Sequence, residues 1–498
     1  MKKLSVIYML LFVTATTLAQ SKSFDDFAKQ QTQKFDTFKS EKQAQFDAFR
    51  KAQNERYADF MAHSWEPTQA LPPLTDKKEE QPIVPIVLEQ PTNTATNSMA
   101  EVLEAIPVTQ EIITIPQPLP QPEPIAPVVP NETLPYKIVS ISYYGTLISI
   151  GFPATDNFKI KSLSEKDLSN AWKHLSDEKY DITLNNVLKV RDDLALCDWA
   201  YIDMLQAISE KQYGKTNEAV MMQAFLLAQS SYKVRMAYGE DKLFILLASQ
   251  YGIYGMGRCI VEDQEFFLLN CKLNNFKVCK AFFEKEKAIS LQLRHEQKFD
   301  IAPTSPRKLT STYGIATSVT LNQNEIEFFN NYPTAYIGGD VKTKWAVYAN
   351  TPLSQSITKT LYPTLKKSIE GLNERDAVNK ILNFVQTAFN YKTDNDVWGG
   401  DRVFFAAETL YYPHSDCEDR AVLFSRLVRD IIGNDVVLLY YPGHLAAAVA
   451  FNQEVNGDYL MYQNRRYIVC DPTYIRGQVG QTPEQLRTVK AQIIALNK

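Results

Sequence analysis

Glycine is absent from the first 144 residues of this 498-residue chain. A stretch with no glycine has few places to turn sharply, so the N-terminal quarter should be stiff rather than floppy. Histidine is scarce, with only five in the whole chain, which leaves few candidates for a base near neutral pH. There is no excess of basic residues. Lys and Arg number 53 against 57 Asp and Glu, a formal charge of -4, and a nucleic-acid binder needs a basic face. No CxxC pair occurs among the six cysteines, so nothing reads as a zinc site, and six are too sparse for a disulfide scaffold. Cys271 and Cys279 are close enough in sequence to pair, but separate buried thiols are an equal reading.

The N-terminus does carry a short apolar run. Lys2 and Lys3 precede "LSVIYMLLFV", and "TLA" at 17–19 fits a cleavage site, the pattern of a signal peptide over 1–19. The run is too short to span a membrane and no later one is long enough. No cysteine precedes Cys197, so no lipidation acceptor lies near the cleavage site. These features predict an exported protein, periplasmic or extracellular, that is not an integral membrane protein.

Residues 20–65 hold an internal repeat of period eleven. Phe24, Phe35, Phe46 and Tyr57 fall in one series and Phe27, Phe38, Phe49 and Phe60 in the other. Eleven residues make about three helical turns, so the segment reads as one long helix with a narrow aromatic stripe. Such a stripe wants a partner, either its own chain, a second copy or another protein. Residues 66–135 contain fifteen of the 25 prolines and read as an extended polyproline linker. Beyond it, 136–300 reads as an α+β lobe, 301–360 as a β-like connector, and 361–498 as a second α+β domain.

The chemistry concentrates in that last domain. In "SDCEDRAVLF", Ser415 and Glu418 fit an S-x-x-E capping box, which would put Cys417 at the second helical position. Unpaired N–H groups and the helix dipole there favour a thiolate and can hold an oxyanion. Asp416 and Asp419 would support the helix start. Of the histidines, His444 alone follows a tight turn and opens an apolar strand, "HLAAAVA". Asp471 ends the next apolar run, before Pro472. Nucleophile, base and orienting acid would then lie at the ends of three elements.

"DCEDRAVLF", "GH" opening a strand, and "DPTY" together resemble the transglutaminase-like superfamily, over roughly residues 364–483. The resemblance implies a papain-like fold with Cys417 as nucleophile, His444 as general base and acid, and Asp471 as orienter. It also implies that the Cys417 backbone N–H is one oxyanion donor, with Trp398, Tyr411 or Tyr412 as candidates for a second. The sequence has Ser415 where the superfamily commonly has glycine. The implied activity is thiol-dependent attack on amide or peptide bonds of a protein or peptide substrate, hydrolysis before cross-linking, with no cofactor and no metal. The alternative is a non-enzymatic scaffold that binds partners through the striped helix and the lobes.

Residues 214–248 also align on 416–450 without a gap. Lys215 then replaces Cys417 and Lys242 replaces His444, and with one residue inserted Asn270 meets Asp471. This predicts that 136–300 is a degenerate lobe of the same fold without its chemistry.

Overall fold

Two apolar hairpins, one in each half of the chain, seed two six-stranded sheets in a mixed α and β fold. The computed structural model describes residues 4–75, 110–113, 120–131 and 133–497, with the side chains of 4–26 and 110–113 outside the description. In chain order the elements that matter are helix α1 (Leu4–Met61), strands β1 (Trp65–Gln69) and β2 (Gln110–Ile113), and helix α2 (Asn217–Gln229). Strands β3 (Val234–Gly239), β4 (Lys242–Leu247), β5 (Arg258–Val261), β6 (Gln264–Leu269) and β7 (Asn275–Cys279) follow. The second half holds helix α3 (Cys417–Ile431) and strands β8 (Val436–Tyr441), β9 (His444–Ala450), β10 (Tyr459–Tyr462), β11 (Arg465–Cys470) and β12 (Ala491–Ala495).

The first sheet has the order β5-β6-β4-β3-β7-β1, and the second β10-β11-β9-β8-β12-β2. Their centres match in register. Gly239 faces Lys242 in one hairpin and Tyr441 faces His444 in the other, each 202 residues on. Ile245 faces Leu269, and Ala447 faces Cys470, so the offset falls to 201 on the next strand. The sheets differ at the sixth strand, where β1 pairs antiparallel with β7 but β2 pairs parallel with β12. Helix α2 packs on β3 and β4, and α3 packs on β8 and β9. Both helices carry apolar residues at three- and four-residue returns, and each strand is buried almost throughout, as expected for a sheet covered by a helix.

Only the last turns of α1 dock. Tyr57 stacks between Trp172 at 4.2 Å and Phe283 at 4.7 Å, with Ala58 and Met61 buried beside it. Asn54 bonds Gln229 and Trp172, and Arg50 pairs with Asp181. Burying such an aromatic side chain contributes roughly 1.5–3 kcal/mol. Phe27, Phe35, Phe38, Phe46, Phe49 and Phe60 are instead exposed, at 40–65%. Phe24 lies outside the described side chains. Of the described stripe residues only Tyr57 is buried; Phe60 beside it and the five phenylalanines along the shaft are bare.

The linker is not a free tether over its described stretches. Trp65–Gln69 joins the first sheet, Leu71 bridges Arg258, and Gln110–Ile113 joins the second. Gln121 and Val128 are bonded to Leu196 and Asn185. An extended proline-rich chain suits an edge strand, where one row of backbone groups needs no partner. The 301–360 stretch is also more helical than its Thr, Asn and Pro content suggests. It holds three short strands, Arg307–Thr310, Ala316–Val319 and Ala335–Tyr336, and the helices Gln323–Asn330, Lys344–Asn350 and the start of Gln355–Ile369. The Asn322 side chain caps the first of these, and Ile326 and Phe328 are buried, so packing outweighs the local punctuation. All six cysteines are free.

Candidate active site

Helix α3 begins one residue later than the S-x-x-E pattern predicts. Asp416, extended at φ -109°, is the N-cap, and Cys417 is the first helical residue. Ser415 is drawn off into a two-residue strand against Asn390–Tyr391, and its hydroxyl accepts from Arg420 at 3.4 Å. The Asp416 backbone N–H donates to Asp419 Oδ2 at 3.2 Å, so the reciprocal acid sits at 419 rather than 418. The Cys417 backbone N–H belongs to the first turn and has no intrahelical acceptor. Arg420 is buried and spends its guanidinium on the carbonyls of Gln386 and Phe389, which fixes the approach to the helix.

His444 opens β9 and Asp471 follows the end of β11, the neighbouring strand. His444 Nε2 lies 2.8 Å from Asp471 Oδ2. A carboxylate oxygen only accepts, so Nε2 carries the proton and Nδ1 keeps its lone pair. Asp471 Oδ1 accepts from the N–H groups of Thr473 and Tyr474, which holds the carboxylate still. Nδ1 is buried and has no hydrogen-bond partner.

Cys417 and His444 line one cavity of about 870 Å³, together with Asp340, Lys342, Lys344, Trp345, Asp394, Asp401, Asp416, Glu418 and Tyr440. Leu74 and Thr75 of the linker close one side. The thiol is 4% exposed. Its hydrogen goes to Glu418 Oε2 at 3.0 Å, and no hydrogen bond joins it to His444. Burial pushes the thiol pKa well up, Glu418 and Asp416 push it further, and a hydrogen bond from the Leu445 N–H pulls against them. Burial first, and then the acids beside it, therefore oppose the thiolate that a helix start by itself favours. For His444, burial lowers the pKa but the Asp471 carboxylate more than offsets this, and the net shift is upward. Burial, then Glu418, raises Asp394 to about 8. Asp416 and Asp419 are raised well above the usual carboxylate range, first by burial and then by their acidic neighbours.

The upstream aromatics do not reach the cavity. Trp398 is 40% exposed and packs on Arg402 and Tyr412. The Tyr411 hydroxyl donates to Gln323 and that of Tyr412 to Asn330, because the helix Ala406–Tyr411 turns them toward the helix Gln323–Asn330. In their place Trp345 stands in the cavity wall, stacked on Tyr440 at 5.3 Å, and its indole N–H is buried without a partner. Trp345 comes from a stretch with no motif. Asp394 and Asp401 come from "TDNDVWGGD", a stretch that carries no catalytic motif either.

The corresponding place in the first lobe holds a smaller cavity, of about 450 Å³, lined by Lys215, Lys242 and Asn270. Helix α2 starts at Asn217, so Lys215 lies ahead of it. Asn270 donates to Gln206. Neither thiol nor imidazole lines this cavity. No family model matches the chain, and no curated protein and no solved structure matches it.

Proposed function

We propose that this chain is an exported, thiol-dependent enzyme of transglutaminase-like fold that cleaves amide bonds in peptides or proteins. The observation that carries the reading is the orphan Nδ1 of His444, buried in the wall of the cavity that Cys417 lines, while its Nε2 is tied to Asp471. In the reaction, Nδ1 takes the Cys417 proton as the sulfur attacks the amide carbon. The imidazolium returns that proton to the departing amine, leaving a thioester. Water, deprotonated by the same nitrogen, then releases the carboxylate and restores the thiol. The backbone N–H of Cys417 and the indole N–H of Trp345 are the oxyanion donors we favour. Hydrolysis is preferred to cross-linking because the cavity is broad and ringed with charged groups, a wall that favours water over an apolar amine channel. The first lobe, with the same strand order and register but Lys215, Lys242 and Asn270 at the three positions, reads as a copy that has lost the chemistry. The bare shaft of α1 supports a second role in which the helix carries the enzyme to a partner.

Alkylation with iodoacetamide at pH 7, mapped by mass spectrometry, tests the proposal, with half-buried Cys271 as internal control. Cys417 should react faster than Cys271, and His444→Ala should slow it at least a hundredfold. Equal rates for the two thiols, or no effect of His444→Ala, would remove the enzyme reading and leave the scaffold.

A further inference from the structure

The mechanism leaves a knot of carboxylates unused. Asp394, the first residue of the short helix Asp394–Val397, meets Asp416 and Asp419 of the α3 start, with one oxygen from each within 4.8 Å of the others. All three side chains are buried, Asp416 and Asp419 at 4% and 1% exposure. A second trio, Asp394, Asp401 and Glu418, shares Asp394 and faces the cavity.

The basic groups nearby make their close contacts with other partners, although Lys344 acts on Asp394, and Arg420 on Asp416 and Asp419, through space. Lys344 pairs with Asp401, Arg402 with Glu408, and Arg420 bonds backbone carbonyls. No ion pair to Asp394, Asp416 or Asp419 occurs among the described residues. Backbone N–H groups serve part of the set. Phe404 and Asp416 donate to the two oxygens of Asp419, and Arg402 to Asp394 Oδ2. Asp416 Oδ1 is buried with no partner at all. A carboxylate oxygen left without a donor in the interior is costly, and three carboxylates packed together repel. A cation resolves both faults at once.

The donor set selects the cation. It is all oxygen, which suits hard ions and gives no soft ligand for zinc or copper. The three oxygens lie within 4.8 Å of one another, close enough for one ion to reach all of them, and an irregular buried set suits calcium, whose coordination is flexible, better than magnesium, which demands near-ideal octahedral geometry. We propose that Asp394, Asp416 and Asp419 form a calcium site that ties the 394–402 segment to the start of the helix bearing Cys417. Asp416 supplies its free Oδ1, Asp394 and Asp419 one oxygen each, and water from the cavity fills the remaining positions. This assignment stands on the three carboxylates and does not depend on Cys417 being a nucleophile.

The test uses the full chain, freed of metal with EDTA and dialysed, then titrated with calcium chloride by calorimetry and followed by thermal melting. One calcium per chain should bind and raise Tm, with magnesium at least tenfold weaker. Asp394→Asn and Asp416→Asn, measured separately so that one misfolding variant does not decide the matter, should lower calcium affinity at least tenfold. Relief of repulsion should raise the Tm of each in EDTA above that of the EDTA-treated wild type. Cys417→Ala should bind calcium as the wild type does, which keeps this result apart from the fate of the enzyme reading. Absence of both heat and Tm shift in the wild type would overturn the site, as would unchanged affinity in the Asn variants.

Discussion

Asp471→Asn probes the proposed proton path with almost no change in shape. Asp471 Oδ1 would still accept from Thr473 and Tyr474, so the loop should hold. The change falls at Oδ2, which accepts from His444 Nε2 at 2.8 Å. With an amide N–H₂ placed there, Nε2 can keep a hydrogen bond only by presenting its lone pair. The imidazole proton then moves to Nδ1, the atom otherwise without a partner, and the base has no lone pair for the Cys417 proton. General-base assistance is worth on the order of 10²–10⁴ in rate, so alkylation of Cys417 by iodoacetamide at pH 7 should slow at least a hundredfold, about 2.7 kcal/mol. Thermal melting measures folding in parallel. A variant that folds as the wild type and alkylates within threefold of its rate would refute the tautomer argument.

Trp345→Phe keeps the stack on Tyr440 and removes the N–H; it should leave alkylation, which forms no oxyanion, unchanged, but slow thioester formation with an activated acyl donor by about 10²-fold. Equal loss in both reactions would point to a packing role. Glu325 is buried, its Oε2 unpartnered, and burial raises its carboxyl from 4.5 to about 7. Because the folded state holds this proton more tightly, its contribution is full below pH 4.5, is lost between 4.5 and about 7, and is flat above. Glu325→Gln should therefore add up to about 3 kcal/mol at pH 8 and little at pH 4, read by urea unfolding, and an equal effect at both pH values would contradict it. Tyr57→Ala, which empties the slot between Trp172 and Phe283, should cost about 3–5 kcal/mol. Phe38→Ala, on the bare shaft of α1, should stay within about 0.5 kcal/mol, and equal costs would mean that the shaft is docked in solution.

Local pattern carried much of this molecule into view. The eleven-residue spacing of phenylalanines specified a helix, because periodicity near 3.6 is a backbone property independent of what the helix meets. The apolar runs at 234–247 and 436–450 became the central hairpins of both sheets. The turn before His444 and the proline after Asp471 marked strand ends, so both side chains could be placed at the mouths of elements before any contact was known. The alignment of 214–248 with 416–450 anticipated a register match that extends to the pairing of individual residues.

Other features depended on residues far apart in the chain. Ser415 lost the cap to Asp416 because the Asn390–Tyr391 strand and Arg420 claim it, and the strand lies outside any local window around the motif. Trp398, Tyr411 and Tyr412 lie near the nucleophile in sequence yet face away, while Trp345, 72 residues before Cys417, lines its cavity. The proline-rich linker looked unattached because edge pairing needs only backbone groups, which leave no side-chain signature. Above all, the thiol environment could not be read locally. A helix N-terminus favours a thiolate when it stands alone; Asp416, Glu418 and Asp419 flank Cys417 in the sequence itself, but folding buries the group and adds Asp394 to it, and the lost water is what raises the thiol most. Sequence alone determined which side chains could do chemistry and on which elements they stand. The charge they meet there was decided by the tertiary structure, because electrostatic energy depends on distance and burial and not on order along the chain.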